Sequence, residues 1–173
     1  MSEPSASDYA LETETVSTVA ALDLPYRPPR PKRYRPKIGL IGCGGISPFH
    51  LKAYREMGLE VGALCDKNLE KARSRRDEFF PEASIGDDPY QLIGREDLEV
   101  LDLTPHPEDR LPLICAALEA GKHVLSQKPL VLDLDEGERL CDLAQQKGVR
   151  LAVNQNGRWA PHFSYIREAV RTG

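Results

Sequence analysis

The sequence predicts an α/β protein, a doubly wound parallel sheet behind a disordered N-terminal tail. Three observations point there. From residue 37 onward short apolar runs alternate with helical patterns. The runs are continuous in Val, Ile and Leu, as in strands covered on both faces, and do not alternate with polar residues. The first run, IGLIG, breaks at once into a turn with glycines at 42, 44 and 45, and a helical pattern follows. Strands separated by helices of about a dozen residues imply right-handed crossovers and a parallel sheet. Such a sheet binds ligands in the crevice at its carboxyl edge, so functional residues are expected where strands end.

KIGLIG (37–42) is read as the first buried strand and ISPFHLKAYREM (46–57) as a helix stopped by Gly58. EVGALCD is the next strand, NLEKARSRRDEFF a helix ended by Pro81, and LEVLDLT a third strand. PEDRLPLICAALEA places Leu111, Ile114, Cys115 and Leu118 at i, i+3, i+4 and i+7, one helical face, with Gly121 beyond it. HVLSQ is a strand. DLDEGERLCDLAQQK opens with the Asp133 to Glu136 spacing of a capping box and stops at Gly148. RLAVNQ is a further strand, and PHFSYIREAVRT a last helix.

At 173 residues, one core is the expectation. A net charge of -4 gives no global reason to expect nucleic acid or an anionic membrane as partner. Residues 1–24 carry five acids and no Lys or Arg, whereas PYRPPRPKRYRPK (25–37) carries six bases and five prolines. Proline at that density removes donors and restricts each preceding residue, so 1–36 is read as a disordered acidic tail followed by an extended Pro/Arg-rich lead-in. A nucleic-acid arm or a ligand for a proline-binding module is the competing reading. No run approaches the ~18 apolar residues of a membrane span, and a soluble, cytoplasmic protein is expected. Cys43, Cys65, Cys115 and Cys141 form no C-x-x-C pair and lie near no histidine at metal spacing, which suggests buried, reduced thiols and no metal site.

The glycine turn carries the first functional argument. Gly42 ends a strand, Gly44 and Gly45 form the turn, and a helix begins directly. There the first glycine permits the bend, and the next lets backbone N–H groups approach a diphosphate at the helix N-terminus. Ser47 stands where a third glycine is usual. Asp66 follows 24 positions after Gly42, at the tip of the second strand. A carboxylate there can accept from both hydroxyls of an adenosine ribose and repel a 2'-phosphate, which favours NAD over NADP. An ordinary turn aspartate is the alternative, and Lys67, Arg73, Arg75 and Arg76 leave NADP open.

At GKHVLSQKPL (121–130) a strand ends in Gln127, Lys128 and Pro129. With IGLIGCGGISPFHLKAY, VGALCD, LDLTPHP and VNQNGRW, spread in order over 38–159, this resembles the nucleotide-binding half of the glucose-fructose oxidoreductase / inositol dehydrogenase / MocA (Gfo/Idh/MocA) family. The resemblance implies a Rossmann-type NAD(P)-binding domain over 37–160 and a helix over 161–173 leading toward an α+β substrate domain that is absent here. It implies an oxidoreductase, or its cofactor half, moving hydride between a sugar- or cyclitol-like polyol and nicotinamide. A non-catalytic dinucleotide-binding module or truncated fragment is the alternative, and a methyltransferase a weaker one.

The family commonly carries Glu-Lys-Pro at that strand end, so Lys128 maps to the catalytic lysine and Gln127 stands in for the glutamate. A lysine partly desolvated beside a cationic nicotinamide ring would have its pKa lowered and could take a proton from a substrate hydroxyl. By the same resemblance Gly42, Gly44, Gly45, Ile46, Asp66, Thr104, His106, Gln127, Asn156, Arg158 and Trp159 are candidate cofactor contacts. His106 could equally be an exposed loop histidine, and Trp159 plain packing. Arg110 falls near the place where the family often has a histidine. The implied partner is a small polyol or sugar, with homo-oligomers expected only if the substrate domain is present.

Overall fold

The computed structural model describes residues 20–27 and 32–173. The chain divides into two compact units, Pro28–Ala160 and a smaller one pairing Met1–Arg27 with Pro161–Gly173. The expected tail falls largely on residues 1–19 and 28–31, outside the described residues.

The larger unit runs β1 (Lys37–Ile41), α1 (Ser47–Met57), β2 (Glu60–Cys65), α2 (Leu69–Phe79), β3 (Ser84–Gly86), α3 (Pro89–Ile93), β4 (Val100–Leu103), α4 (Pro107–Glu119), β5 (His123–Gln127), α5 (Leu134–Lys147), β6 (Leu151–Asn154) and α6 (Asn156–Trp159). The six strands form one parallel sheet in the order β3-β2-β1-β4-β5-β6. The order reverses between β1 and β4, which leaves a crevice outside their carboxyl ends. Register puts the strand ends level: Ile41 lies beside Cys65 and Leu103, Leu103 beside Ser126, and Gln127 beside Asn154.

The two faces of the sheet divide the core, with the alternation interrupted in β2 by the register shift between its Val61 and Ala63. Ile38, Leu40, Val61 and Leu64 pack with Leu51, Ala72 and Phe79 on one face. Ile41, Ala63, Leu101 and Leu103 pack with Ile114, Leu118 and Leu140 on the other. Leu40, Leu64, Leu101 and Leu103 are fully buried, each contributing about 1.5–3 kcal/mol of transfer free energy.

Local chemistry sets the helix ends. Asn68 caps α2 by accepting from the Glu70 N–H, and Asp88 caps α3 by accepting from the Tyr90 N–H. Asp133 caps α5 by accepting from the Asp135 N–H; among the described residues it makes no hydrogen bond with Glu136. Gly58 and Gly148 close α1 and α5 at φ 67°, where a glycine meets no Cβ penalty.

Three sequence expectations shift. The buried face of α4 runs through Arg110, Leu113, Ile114, Ala117 and Leu118, one position round from the stripe read from Leu111 and Cys115. The stripe was drawn from apolar residues alone and so left out the buried Arg110. Cys141 is exposed and Cys115 half-buried, because the inward face of α5 is carried by Leu140 and Ala144; Cys43 and Cys65 are buried, and all four thiols are free. The short β3 and α3 were not expected from the sequence.

In the smaller unit, α7 (Pro161–Thr172) is the regular element. The Tyr26 ring meets Tyr165 edge-on at 5.7 Å, and the Arg27 guanidinium lies 5.6 Å from the Tyr26 centroid. Glu168 is buried and takes Arg167 and Arg171 as ionic partners.

Candidate active site

The glycine turn presents main chain to the crevice. Gly42 has φ 97° and its N–H donates to the Cys65 carbonyl at 2.7 Å. A Cβ on Gly42 would stand 2.6 Å from Thr104 Oγ1, so both backbone angle and space require glycine. A Cβ on Gly44 or Gly45 would meet nothing within 4 Å. Among the described residues no acceptor takes the N–H groups of Gly44, Gly45 or Ile46. The α1 N-terminus, with Ile46 at its cap and Pro48 in its first turn, has no side-chain cap either. Ser47, in the place of a third glycine, is fully buried and donates its hydroxyl to the Gly44 carbonyl at 2.7 Å. Open space, unpaired donors and the positive end of a helix dipole together suit a diphosphate.

Asp66 follows β2. Its Oδ2 accepts from the Cys43 N–H at 2.7 Å and its Oδ1 from the Asn68 N–H at 2.8 Å. Each oxygen keeps a further lone pair, and the carboxylate lines a cavity of about 470 Å³ with Gly42, Gly44, Thr104 and His106. Five expected contacts thus share one cavity. Its far wall includes Pro89 and Tyr90 from the unexpected α3. The cations that left NADP open are engaged: Lys67 with Asp109, Arg73 with Glu70, Arg75 with Glu78, and Arg76 with Asp77. Burial pushes the Cys43 and Cys65 thiols up to about 12.

The other end of the crevice is built from side chains. Thr104 Oγ1 donates to the Ile41 carbonyl at 3.1 Å and also reaches that of Gly42. Gln127 is buried; its Oε1 accepts from the Lys128 N–H at 2.8 Å. Lys128 is exposed and joined to Pro129 by a cis peptide bond. Ile46 and Asn156 line a second cavity, of about 460 Å³, with His50, Tyr54 and Asn154. His106 is exposed at the α4 N-cap and Arg158 is exposed on α6. The Trp159 side chain lies outside what is described.

Beneath this end lies a polar network that the sequence reading missed. Asp102, fully buried in β4, accepts through Oδ2 from His50 Nδ1 at 2.6 Å and from the Tyr54 hydroxyl at 2.7 Å. Its Oδ1 has no partner among the described residues. His50 Nε2 faces the amide nitrogens of Asn154 at 2.8 Å and Gln127 at 3.3 Å. These partners assign the histidine tautomer, with Nδ1 donating and Nε2 accepting. Burial, and then the Asp102 charge, raises the Tyr54 pKa well above its ordinary value. An available signal was Asp102 itself: one acid inside an apolar strand covered on both faces must have partners.

Arg110 was flagged only as a departure. It is 1% exposed, and its guanidinium donates to the Pro105 carbonyl at 2.8 Å and to that of Pro129.

Comparison with known proteins identifies the family and the fold. The family model described as "Oxidoreductase family, NAD-binding Rossmann fold" (GFO_IDH_MocA) matches residues 36–155. The chain is 33% identical over 138 residues to a D-apiose dehydrogenase from Paraburkholderia graminis, covering 79% of this chain and 36% of that protein. It is 33% identical over 117 residues to an inositol 2-dehydrogenase from Salmonella typhimurium, covering 66% and 35%. An NAD binding oxidoreductase from Klebsiella pneumoniae superposes with a TM-score of 0.73 at 25% identity, over 81% of this chain and 39% of that one. A 3-ketoreductase from Actinomadura kijaniata, solved with NADP and TDP-benzene, gives 0.66 at 28% identity, over 70% and 37%. The chain spans little more than a third of the length of these relatives. Among the described residues no helix is long and apolar enough to cross a membrane.

Proposed function

Because the chain belongs to the Gfo/Idh/MocA oxidoreductase family, through its NAD-binding Rossmann domain, we propose that it is the cofactor half of a dehydrogenase acting on a sugar- or cyclitol-like polyol. The observation that carries this is the shelf at Gly44 and Gly45, with open space above it and three main-chain donors unpaired. Gly44, Gly45 and Ile46 would hold the diphosphate, and Asp66 the adenosine ribose. Thr104, His106, Gln127, Asn156, Arg158 and Trp159 would frame the nicotinamide end. Asp66 favours NAD, since a third negative group beside its carboxylate is repelled.

When bound, the dinucleotide supplies the hydride acceptor. The chain's own contribution is to orient it and to handle the proton: Lys128 Nζ takes the proton from the substrate hydroxyl as the neighbouring carbon loses hydride. A cytoplasmic location, small-molecule partners only, and oligomers formed through a substrate domain belong to the same reading; four free thiols suit a reducing compartment.

Calorimetric titration with NADH and NADPH tests the proposal. Binding of NADH in preference to NADPH is expected, and no heat with either would refute it. In a form carrying a substrate domain, Lys128→Met is expected to lower turnover by ~10² or more with dinucleotide affinity retained; an unchanged kcat would remove Lys128 from the chemistry.

A further inference from the structure

Arg110 is among the largest side chains that the fold buries completely. A guanidinium so placed normally faces a carboxylate, because an uncompensated buried ion is costly. Among the described residues Arg110 makes no ion pair. On its own helix Glu108 and Asp109 are exposed, and Asp109 pairs with Lys67. Its Nε has no partner among the described residues, and burial lowers its pKa. What it does hold are two main-chain oxygens from different loops: that of Pro105, just past the end of β4, and that of Pro129, directly after Lys128.

The placement is informative because each loop is anchored again elsewhere. The loop after β4 is tied to the glycine turn by Thr104, through its N–H to Ile41 and its hydroxyl to Ile41 and Gly42. The turn after β5 is tied to the buried network by Gln127, which holds the Lys128 N–H. Arg110 connects these two anchored segments. A neutral side chain could donate to one carbonyl without the cost of burying charge. Lys122 shows that an ammonium can also reach two carbonyls, those of Arg95 and Leu98, but from a single nitrogen; a guanidinium presents separate nitrogens in one rigid plane and so fixes the span between its two acceptors.

We propose that Arg110 is a positioning residue for Lys128: its fork sets the gap between the Thr104–His106 loop and the Lys128–Pro129 turn, the walls between which the nicotinamide end enters. The proposal rests on the reading of Lys128 given above. It goes further in assigning to this arginine a function that the resemblance does not supply.

The test follows the purified chain and its R110K and R110Q variants by hydrogen exchange with mass spectrometry. Each is also titrated with NADH and with ADP-ribose, which has the diphosphate and adenosine but no nicotinamide. In R110Q, the amides of 104–110 and 128–132 are expected to exchange about tenfold faster together, while those of 42–47 keep their rate. NADH is expected to weaken about tenfold and ADP-ribose clearly less, because the Thr104–His106 loop also lines the Asp66 cavity whereas the Lys128–Pro129 turn does not. R110K keeps the charge without the fork and is expected to show the same selective pattern; it decides the matter should R110Q not fold.

Equal weakening of both ligands would reduce Arg110 to a structural role and overturn the proposal. So would faster exchange in only one loop, or a lysine variant matching the wild type. A wild-type chain blind to both ligands would refute the dinucleotide reading, while the exchange pattern would still decide whether Arg110 ties the two loops.

Discussion

Between β1 and β2 the crevice is walled by main chain: a glycine turn with unpaired N–H groups, and one aspartate locked by the backbone of its neighbours. At the ends of β4, β5 and β6 the wall is made of side chains, with His50, Asp102, Tyr54, Gln127 and Asn154 joined in one network and Arg110 spanning two loops. The first arrangement has room for many sequences, since only glycine and one acid are dictated. The second is low in tolerance, because each buried polar atom depends on a specific partner. A backbone-built wall therefore tolerates change in its side chains, and a side-chain-built one is held to one arrangement.

The contrast can be broken from either side. The largest effect on stability is expected from Asp102→Ala, which orphans His50 Nδ1–H and the Tyr54 hydroxyl at about 1–3 kcal/mol each. Urea unfolding is expected to show a loss of about 2–5 kcal/mol, and an unchanged midpoint would mean the network is not formed. Gly44→Val works in the opposite sense. With open space at its Cβ the fold is expected to survive, with melting temperature nearly unchanged. Dinucleotide affinity is expected to fall ~10² or more as two charge-assisted hydrogen bonds are blocked. Retained affinity by calorimetry would displace the diphosphate from this turn.

Asp66→Ala sharpens the comparison at smaller scale. NAD is expected to weaken about tenfold and NADP less, with a modest stability loss as the Cys43 and Asn68 N–H groups lose their acceptor. Equal loss for both dinucleotides would deny Asp66 the ribose. The smallest effect is chemical. Iodoacetamide at pH 8 is expected to label exposed Cys141 and to spare Cys43 and Cys65, whose thiols titrate near 12 and are therefore protonated. Labelling of Cys43 in the folded chain would show that the glycine turn opens.

The same division explains what the sequence disclosed. Gly42, Gly44, Gly45 and Asp66 were legible because a backbone site imposes residue types at fixed spacing along one βαβ unit. The strand and helix order followed from periodicity, which survives substitution. Asp102 and His50 were not legible, since they lie 52 positions apart and meet only when β4 is placed beside β1. The burial of Arg110 was not legible either, since arginine usually faces water and here two carbonyls supply what solvent would. Strand β3 has three residues and α3 five, too short for either period to register.

Gln127 carries one further consequence. Lys128 holds its carbonyl oxygen, so its nitrogen is obliged to turn toward the imidazole. An ionised glutamate in the same seat would offer that ring an acceptor in place of a donor. With nitrogen in place of one oxygen, the hydrogen between these two side chains belongs to Gln127 and leaves the ring nitrogen free to accept.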